Sequence, residues 1–379
     1  MSYTLIKRAK KNVGDFLIWE RAKELLEKHT KKHDFLVLEG WKSLDNRLAE
    51  INKTEAVIIC GGPGYQKDFY PRVYPFLKHV TKIKIPIIPF GLGWNGKPMY
   101  RPDKFSFNEA SKSILTYIHE RCKATSCRDV ITKNILDRYG FKNALMTGDP
   151  AWYDLRSIGK RFERPKNIKR IAVTPPAQVI FYKQAVTLMG ALKDVFRNAQ
   201  LFLVFHRGMK SDKYTPKGEA RYLQKLKREA EKMDYQTVNA AYDTSKIEFY
   251  QKCDLHVGYR VHGHIYFLSI RKPSFLLQED GRGLGFSKSL GLPDVPARGP
   301  KISESVYQIA SLSTRVSNVL DRVLSNSVIH PSVLRDAVKT LLKNIRRELT
   351  SGFSSFRNLS KLIDEHYYPI MSEFLKTLL

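Results

Sequence analysis

The sequence predicts an α/β protein of two parallel-sheet domains followed by a helical C-terminal extension, and three features of the chain lead there. Short apolar runs alternate with amphipathic stretches through residues 1–150, the pattern that buried parallel strands wrapped by helices produce. A basic, apolar-poor stretch around 156–169 breaks the alternation, which then resumes through a second half. Beyond Leu292, apolar residues recur only at intervals of three and four, the spacing of a helix face. At 379 residues and 42% apolar content, the chain is longer than one core absorbs and apolar enough for two.

In chain order, residues 3–6, 35–38, 56–60, 86–90 and 144–147 are the expected strands of the first half. Between the first two, residues 15–29 carry Phe16, Trp19, Leu25 and Leu26 at about helical spacing. The second half offers strands at 171–174, 201–205, 255–258 and 274–277. Helices are expected at 303–324, 333–349 and 359–379, one of them returning to brace the first domain. The domain bounds that follow are 1–155, 168–300 and, for the basic helical extension, 301–379.

No stretch approaches the roughly 20 apolar residues of a membrane-spanning helix. The basic start (Lys7, Arg8, Lys10, Lys11) leads into Asp15 and Glu20 rather than a signal-peptide core, so a cytoplasmic location is expected. Cys60, Cys122, Cys127 and Cys253 lack Cys-x-x-Cys spacing and are expected to be reduced and mostly buried. The formal charge of +28 favours anionic partners: phosphorylated metabolites, acidic glycans, nucleic acid or an anionic membrane face.

Ligands of open α/β sheets sit beyond the carboxyl ends of the strands, so the residues that follow each strand are the candidates. Arg260-Val261-His262 sets a forked cation two residues from a group that exchanges protons near neutral pH, a pairing suited to an anion beside a proton donor. His262 and His264 begin no metal site, because no further cluster completes one, and neither metal nor cofactor is expected. In Asn12-Val13-Gly14-Asp15, Asp15 either caps the helix or orients an acceptor hydroxyl. Cys60-Gly61-Gly62-Pro63-Gly64 and Gly91-Leu92-Gly93 are glycine loops that let a backbone approach a ligand or simply turn tightly; their spacing is neither a P-loop nor a dinucleotide fingerprint. Arg128 and Asp149 are expected to form a structural ion pair. His206-Arg207 closes another strand, with Arg207 suited to a phosphate.

In this order the motifs resemble those of the polysaccharide pyruvyl transferases, over roughly residues 1–300. The resemblance implies two facing Rossmann-like domains of the GT-B kind. It also implies phosphoenolpyruvate as donor, and as acceptor a sugar diol of a capsular, exopolysaccharide or cell-wall glycan, free or lipid-linked, which receives a pyruvate ketal. By the same resemblance His262 is the general acid, Arg260 the anion clamp, Arg207 with His206 the further donor contact, and Asp15 the residue serving the acceptor. Asn12, Gly14, Gly61, Gly62 and Gly93 belong to the substrate-binding motifs. Where relatives often carry Asp-x-Lys, this chain reads Glu279-Asp280-Gly281-Arg282, with Arg282 as the expected replacement.

Two other readings remain open. The same architecture serves glycosyltransferases with nucleotide-sugar donors. A non-enzymatic binder of nucleic acid or an anionic surface would draw on the Tyr, Lys and Arg of residues 213–232, although the basic residues are spread over many elements and no nucleic-acid motif is recognisable. Residues 335–347 are basic and amphipathic, either a packed helix or a peripheral membrane contact.

Overall fold

The computed structural model describes residues 2–162, 164–299 and 333–378. The first domain is a six-stranded parallel sheet, ordered β2-β1-β3-β4-β5-β6, from β1 (Tyr3–Lys7), β2 (Phe35–Glu39), β3 (Ala56–Tyr65), β4 (Ile87–Trp94), β5 (Thr125–Cys127) and β6 (Ala144–Met146). The second is a five-stranded parallel sheet, ordered β11-β10-β7-β8-β9, from β7 (Arg170–Thr174), β8 (Gln200–Phe205), β9 (Gln236–Asn239), β10 (Leu255–Gly258) and β11 (Ser274–Leu276). β4 is buried along its whole length, as a central strand covered on both faces must be, and its apolar run made it legible. β5 and β9 were not expected. Thr-Ser-Cys is too short and polar for an apolar-run rule, and Gln-Thr-Val-Asn is a half-exposed edge strand.

In each sheet the strand order reverses beside the first strand of the domain: β1 lies between β2 and β3, and β7 between β8 and β10. Chain connections diverge to opposite faces at such a point and leave a crevice beyond the carboxyl ends. Helix α1 (Val13–Thr30) follows β1 and buries Leu17, Ile18, Ala22, Leu25 and Leu26. Phe16 and Trp19, expected in the apolar stripe, are instead half-buried beneath the Lys7 ammonium, 4.7 and 4.2 Å from their ring centroids. Helix α7 (Val261–Ser269) follows β10 and is buried at nearly every position.

The C-terminal region is helical and spans both domains. The helix Ala337–Ser351 packs Val338, Leu341 and Ile345 against the second domain, so the apolar face of residues 335–347 is spent on the core and is not presented to a bilayer. The helix Tyr368–Lys376 returns to brace the first domain: Phe374 packs 5.5 Å from Phe90, and the Tyr3 hydroxyl donates to the Leu378 carbonyl at 2.6 Å. Among the described residues the chain thus crosses between domains twice, and Asp364 ties these crossings together. It accepts from the Gly159 N–H at 3.0 Å and from Arg271 at 2.5 Å, while Arg271 also donates to the Lys160 carbonyl. The helix expected at 303–324 lies outside the described residues. Among those described, no helix is long and apolar enough to cross a membrane, and all four cysteines are free and buried.

Candidate active site

Between the domains lies a cavity of about 380 Å³, walled by the carboxyl end of β3 and by the segments that follow β1, β7, β8, β10 and β11. Arg8, Lys10, Lys11, Asn12, Asp15 and Gly61–Gly64 come from the first domain, the glycines lying within the last residues of β3 and not in a loop after it as expected; Ala177, Arg207, Tyr214, Arg260 and Arg282 come from the second. Residues scattered over 275 positions of sequence, from 8 to 282, therefore meet at one crevice.

Asn12, not Asp15, caps α1: its side-chain oxygen accepts from the Gly14 N–H at 3.4 Å. That leaves Asp15 in the first turn, half-buried on the cavity wall and held by the Asn12 amide at 3.2 Å. Burial pushes its carboxyl above the usual range, against the pull of Arg282, Arg207 and Arg8. Gly62 has φ +84, and the space where a Cβ would stand is empty for 4 Å, so backbone is bare to the cavity there.

On the opposite wall, the Arg260 N–H donates to the Thr174 hydroxyl at 3.1 Å, and its Nε is buried without an acceptor. Burial lowers the Arg260 pKa, opposed by Glu279. Glu279 is itself buried and accepts from the Ala177 and Gln178 N–H groups at 2.8 and 3.2 Å, which fixes the loop after β7. Arg207 faces Glu219 at 3.5 Å. Arg282 grips Asp280 with two guanidinium nitrogens, at 2.9 and 2.7 Å.

His262 is not on the cavity wall. It lies directly behind it, against Gly14, where a Cβ would fall 2.4 Å from its Nδ1; only glycine lets α1 and α7 approach this closely. Its Nε2 is buried without a partner. Burial first, then Arg282, Arg128 and Arg260, push the imidazole down to about 3, so it is neutral at physiological pH.

Three expectations need correction. His206 is a core residue, 1% exposed and hydrogen-bonded to the Tyr250 hydroxyl at 2.8 Å, not a cavity contact. Gly93 lies against Arg128, whose Nε occupies the space a Cβ would need, so its smallness serves packing rather than ligand approach. Arg128 pairs with its neighbour Asp129 at 3.1 Å and donates to the Trp94 carbonyl, and not with Asp149. Asp149 accepts from the Ala151 N–H through one oxygen, leaves the other buried without a donor, and is pushed up to about 6 by burial against the pull of Arg128. Sequence reading also missed Arg8 and Lys10 as wall residues. Their place just after β1 was the available signal, but they registered only as part of a basic start that leads into no signal-peptide core. Among the described residues no group of three or more His, Cys, Asp or Glu is arranged to hold a metal.

Two parallel-sheet domains with a cationic interdomain crevice define a GT-B-like architecture. The sequence matches the profile of the polysaccharide pyruvyl transferases over residues 12–281, more than two thirds of its length, and the chain belongs to that family. Among solved structures, a protein described as a UDP-N-acetylglucosamine 2-epimerase of Listeria monocytogenes is similar in fold, with a TM-score of 0.50 at 10% identity, covering 93% of this chain and 97% of that one. A glycosyltransferase of Rickettsia africae aligns with a TM-score of 0.45 at 14% identity, covering 99% of this chain and 98% of that one. No curated protein sequence matches the chain.

Proposed function

We propose that this protein transfers the pyruvyl group of phosphoenolpyruvate to a sugar diol of a surface-polysaccharide precursor, closing a pyruvate ketal and releasing phosphate. The observation that carries the reading is the meeting of Asp15, Arg207, Arg260 and Arg282 on one cavity, with His262 behind it, in a chain of this family. The reaction needs an acid at the donor's methylene carbon, cations for phosphate and carboxylate, and a base for the attacking hydroxyl. Protonation of the methylene makes it a methyl group and leaves an oxocarbenium-like centre, which the first hydroxyl attacks as it loses its proton. Phosphate then departs with its bridging oxygen, leaving a second oxocarbenium-like centre, and the second hydroxyl closes the ring as the departing phosphate takes its proton.

Arg260 and Arg207 hold the anionic donor and stabilise charge where it develops, with Arg282 contributing from the first turn of the helix Gly281–Leu290. Asp15, its basicity raised by burial, takes the proton of the attacking hydroxyl. His262 is the acid. Burial first, and then Arg282, Arg128 and Arg260, hold it neutral; an anionic donor among those arginines offsets their part of the shift and moves its proton affinity upward.

The test is a thermal-shift titration with phosphoenolpyruvate beside a panel of nucleotide sugars, in wild type and Arg260→Ala. At about 100 times its dissociation constant a ligand adds roughly 2.7 kcal/mol to native stability. Stabilisation by phosphoenolpyruvate that Arg260→Ala removes is the expected result. Stabilisation by nucleotide sugars alone would overturn the donor and point to glycosyl transfer.

A further inference from the structure

Behind Arg260 runs a row of buried polar side chains that the proposed reaction does not use. The Arg260 N–H donates to the Thr174 hydroxyl at 3.1 Å, and that hydroxyl stands 2.9 Å from His256 Nε2. His256 Nδ1 lies 2.7 Å from the Ser274 hydroxyl, which lies 2.8 Å from His264 Nδ1. None of these four side chains is more than 2% exposed, so each needs its partners inside the fold. Sheet register brings them together: β10 lies between β7 and β11, with Gly258 opposite Thr174 and His256 opposite Ser274. Two glycines make room for the row. At Gly258, φ +150, a Cβ would stand 2.6 Å from the Thr174 Oγ1, and at Gly263 one would stand 2.9 Å from His256 Nε2.

Counting hydrogens gives the row one direction. Thr174 accepts from the Arg260 N–H, so its single proton goes to His256 Nε2. With that nitrogen an acceptor, the His256 proton sits on Nδ1 and goes to Ser274, whose own proton goes to His264 Nδ1. Run the other way, the Thr174 proton has no acceptor in the row. The arrangement needs both imidazoles neutral, and burial, which pushes both below the ordinary 6.5, keeps them so. Arg260 stands at the N-cap of α7 and makes no capping bond with its own side chain, so the Thr174 hydroxyl holds its backbone from outside the helix.

We infer that Thr174, His256 and Ser274 are positioning residues, a one-way relay of hydrogen bonds that fixes the Arg260 backbone and so aims its guanidinium at the anionic donor. The link to the donor rests on the function proposed above; the relay itself does not.

Calorimetric titration of the full chain with phosphoenolpyruvate tests this, because it reads affinity and active fraction separately. Thr174→Val keeps the shape and removes the hydroxyl; it is expected to weaken donor affinity about tenfold with the number of sites unchanged. Thr174→Ser restores the hydroxyl and stays within about twofold of wild type. Ser274→Ala, off the cavity wall and three hydrogen bonds from Arg260, weakens the donor about threefold or more, and carries the test if Thr174→Val fails to fold. Nitrogen NMR of the histidine-labelled wild type is expected to show His256 protonated at Nδ1 alone and His264 at Nε2 alone. Donor affinity intact in either Thr174→Val or Ser274→Ala, whatever the melting temperature, overturns the inference, because the row then only packs the core. His256 protonated at Nε2 overturns it as well, because Thr174 then has no acceptor for its proton. A wild type that binds no phosphoenolpyruvate sinks the pyruvyl-transfer reading instead. Inorganic pyrophosphate, an anion for the same arginines, then serves as the probe for the same variants, with the same losses expected.

Discussion

Gly14 sets the contact on which His262 depends. An added methyl at Gly14 would land 2.6 Å from the His262 Cβ as well as on its ring, so Gly14→Ala must displace the imidazole or part α1 from α7. Misplacing a reacting group by about 1 Å costs about 100-fold in rate. Gly14→Ala is therefore expected to lower ketal formation by about that factor while phosphoenolpyruvate still raises the melting temperature, as a rate assay beside thermal shift would show. Asp149 gives a signed pH effect. Its folded value of about 6 lies above the ordinary 3.8, so ionising it destabilises the native state above pH 6, and the penalty is relieved as pH falls toward 3.8. Asp149→Asn should be more stable than wild type at pH 8, on the order of 1–3 kcal/mol, with the gap narrowing through that window in urea melts. Buried His262 and His264, both at about 3, act oppositely: their contribution is full above the unfolded value of about 6.5 and is lost as pH falls toward the folded one.

Among the elements, the strands that sequence revealed are those whose side chains are apolar because both faces are covered, such as β3 and β4. The ones it missed, β5 and β9, owe their place to hydrogen-bonded neighbours. The site divides along the same line. Residues that follow strands directly, Asp15, Arg207 and Arg260, could be found from order alone. The burial of His206 by Tyr250 and the filling of Gly93's space by Arg128 depend on contacts between distant segments that no local pattern encodes. In the helix Ala337–Ser351, Ile345 is fully buried while Lys343 points to solvent. Ile345→Ala is expected to cost about 2–5 kcal/mol and Lys343→Gln less than about 0.5 in denaturant melts, because this helix serves packing.

At the scale of the molecule, the two domains are pinned across the cleft mouth by Lys11. Its ammonium, 4% exposed, leaves the first domain to meet Asp212, Thr215 and the Lys210 carbonyl of the second, and Tyr242 also donates to Asp212. Lys11→Met removes the charge and keeps most of the bulk. The expected loss is roughly 1.5–3 kcal/mol of stability, with faster tryptic cleavage at Lys210 and Lys213, read by limited proteolysis. A variant that cleaves no faster than wild type would show that the loop 210–215 is held by its own contacts.

The paired crossings fastened by Asp364 act as a door hung on two adjacent pins, with the Lys11 cluster as its latch on the free edge. Swinging is the softest motion such a frame allows; sliding or twisting would tear Asp364 from Gly159 or Arg271. On the proposed pyruvyl transfer, both substrates would enter and phosphate would leave through that one widening gap, and the pace at which the latch lets go would then set an upper limit on turnover however fast the chemistry behind it runs.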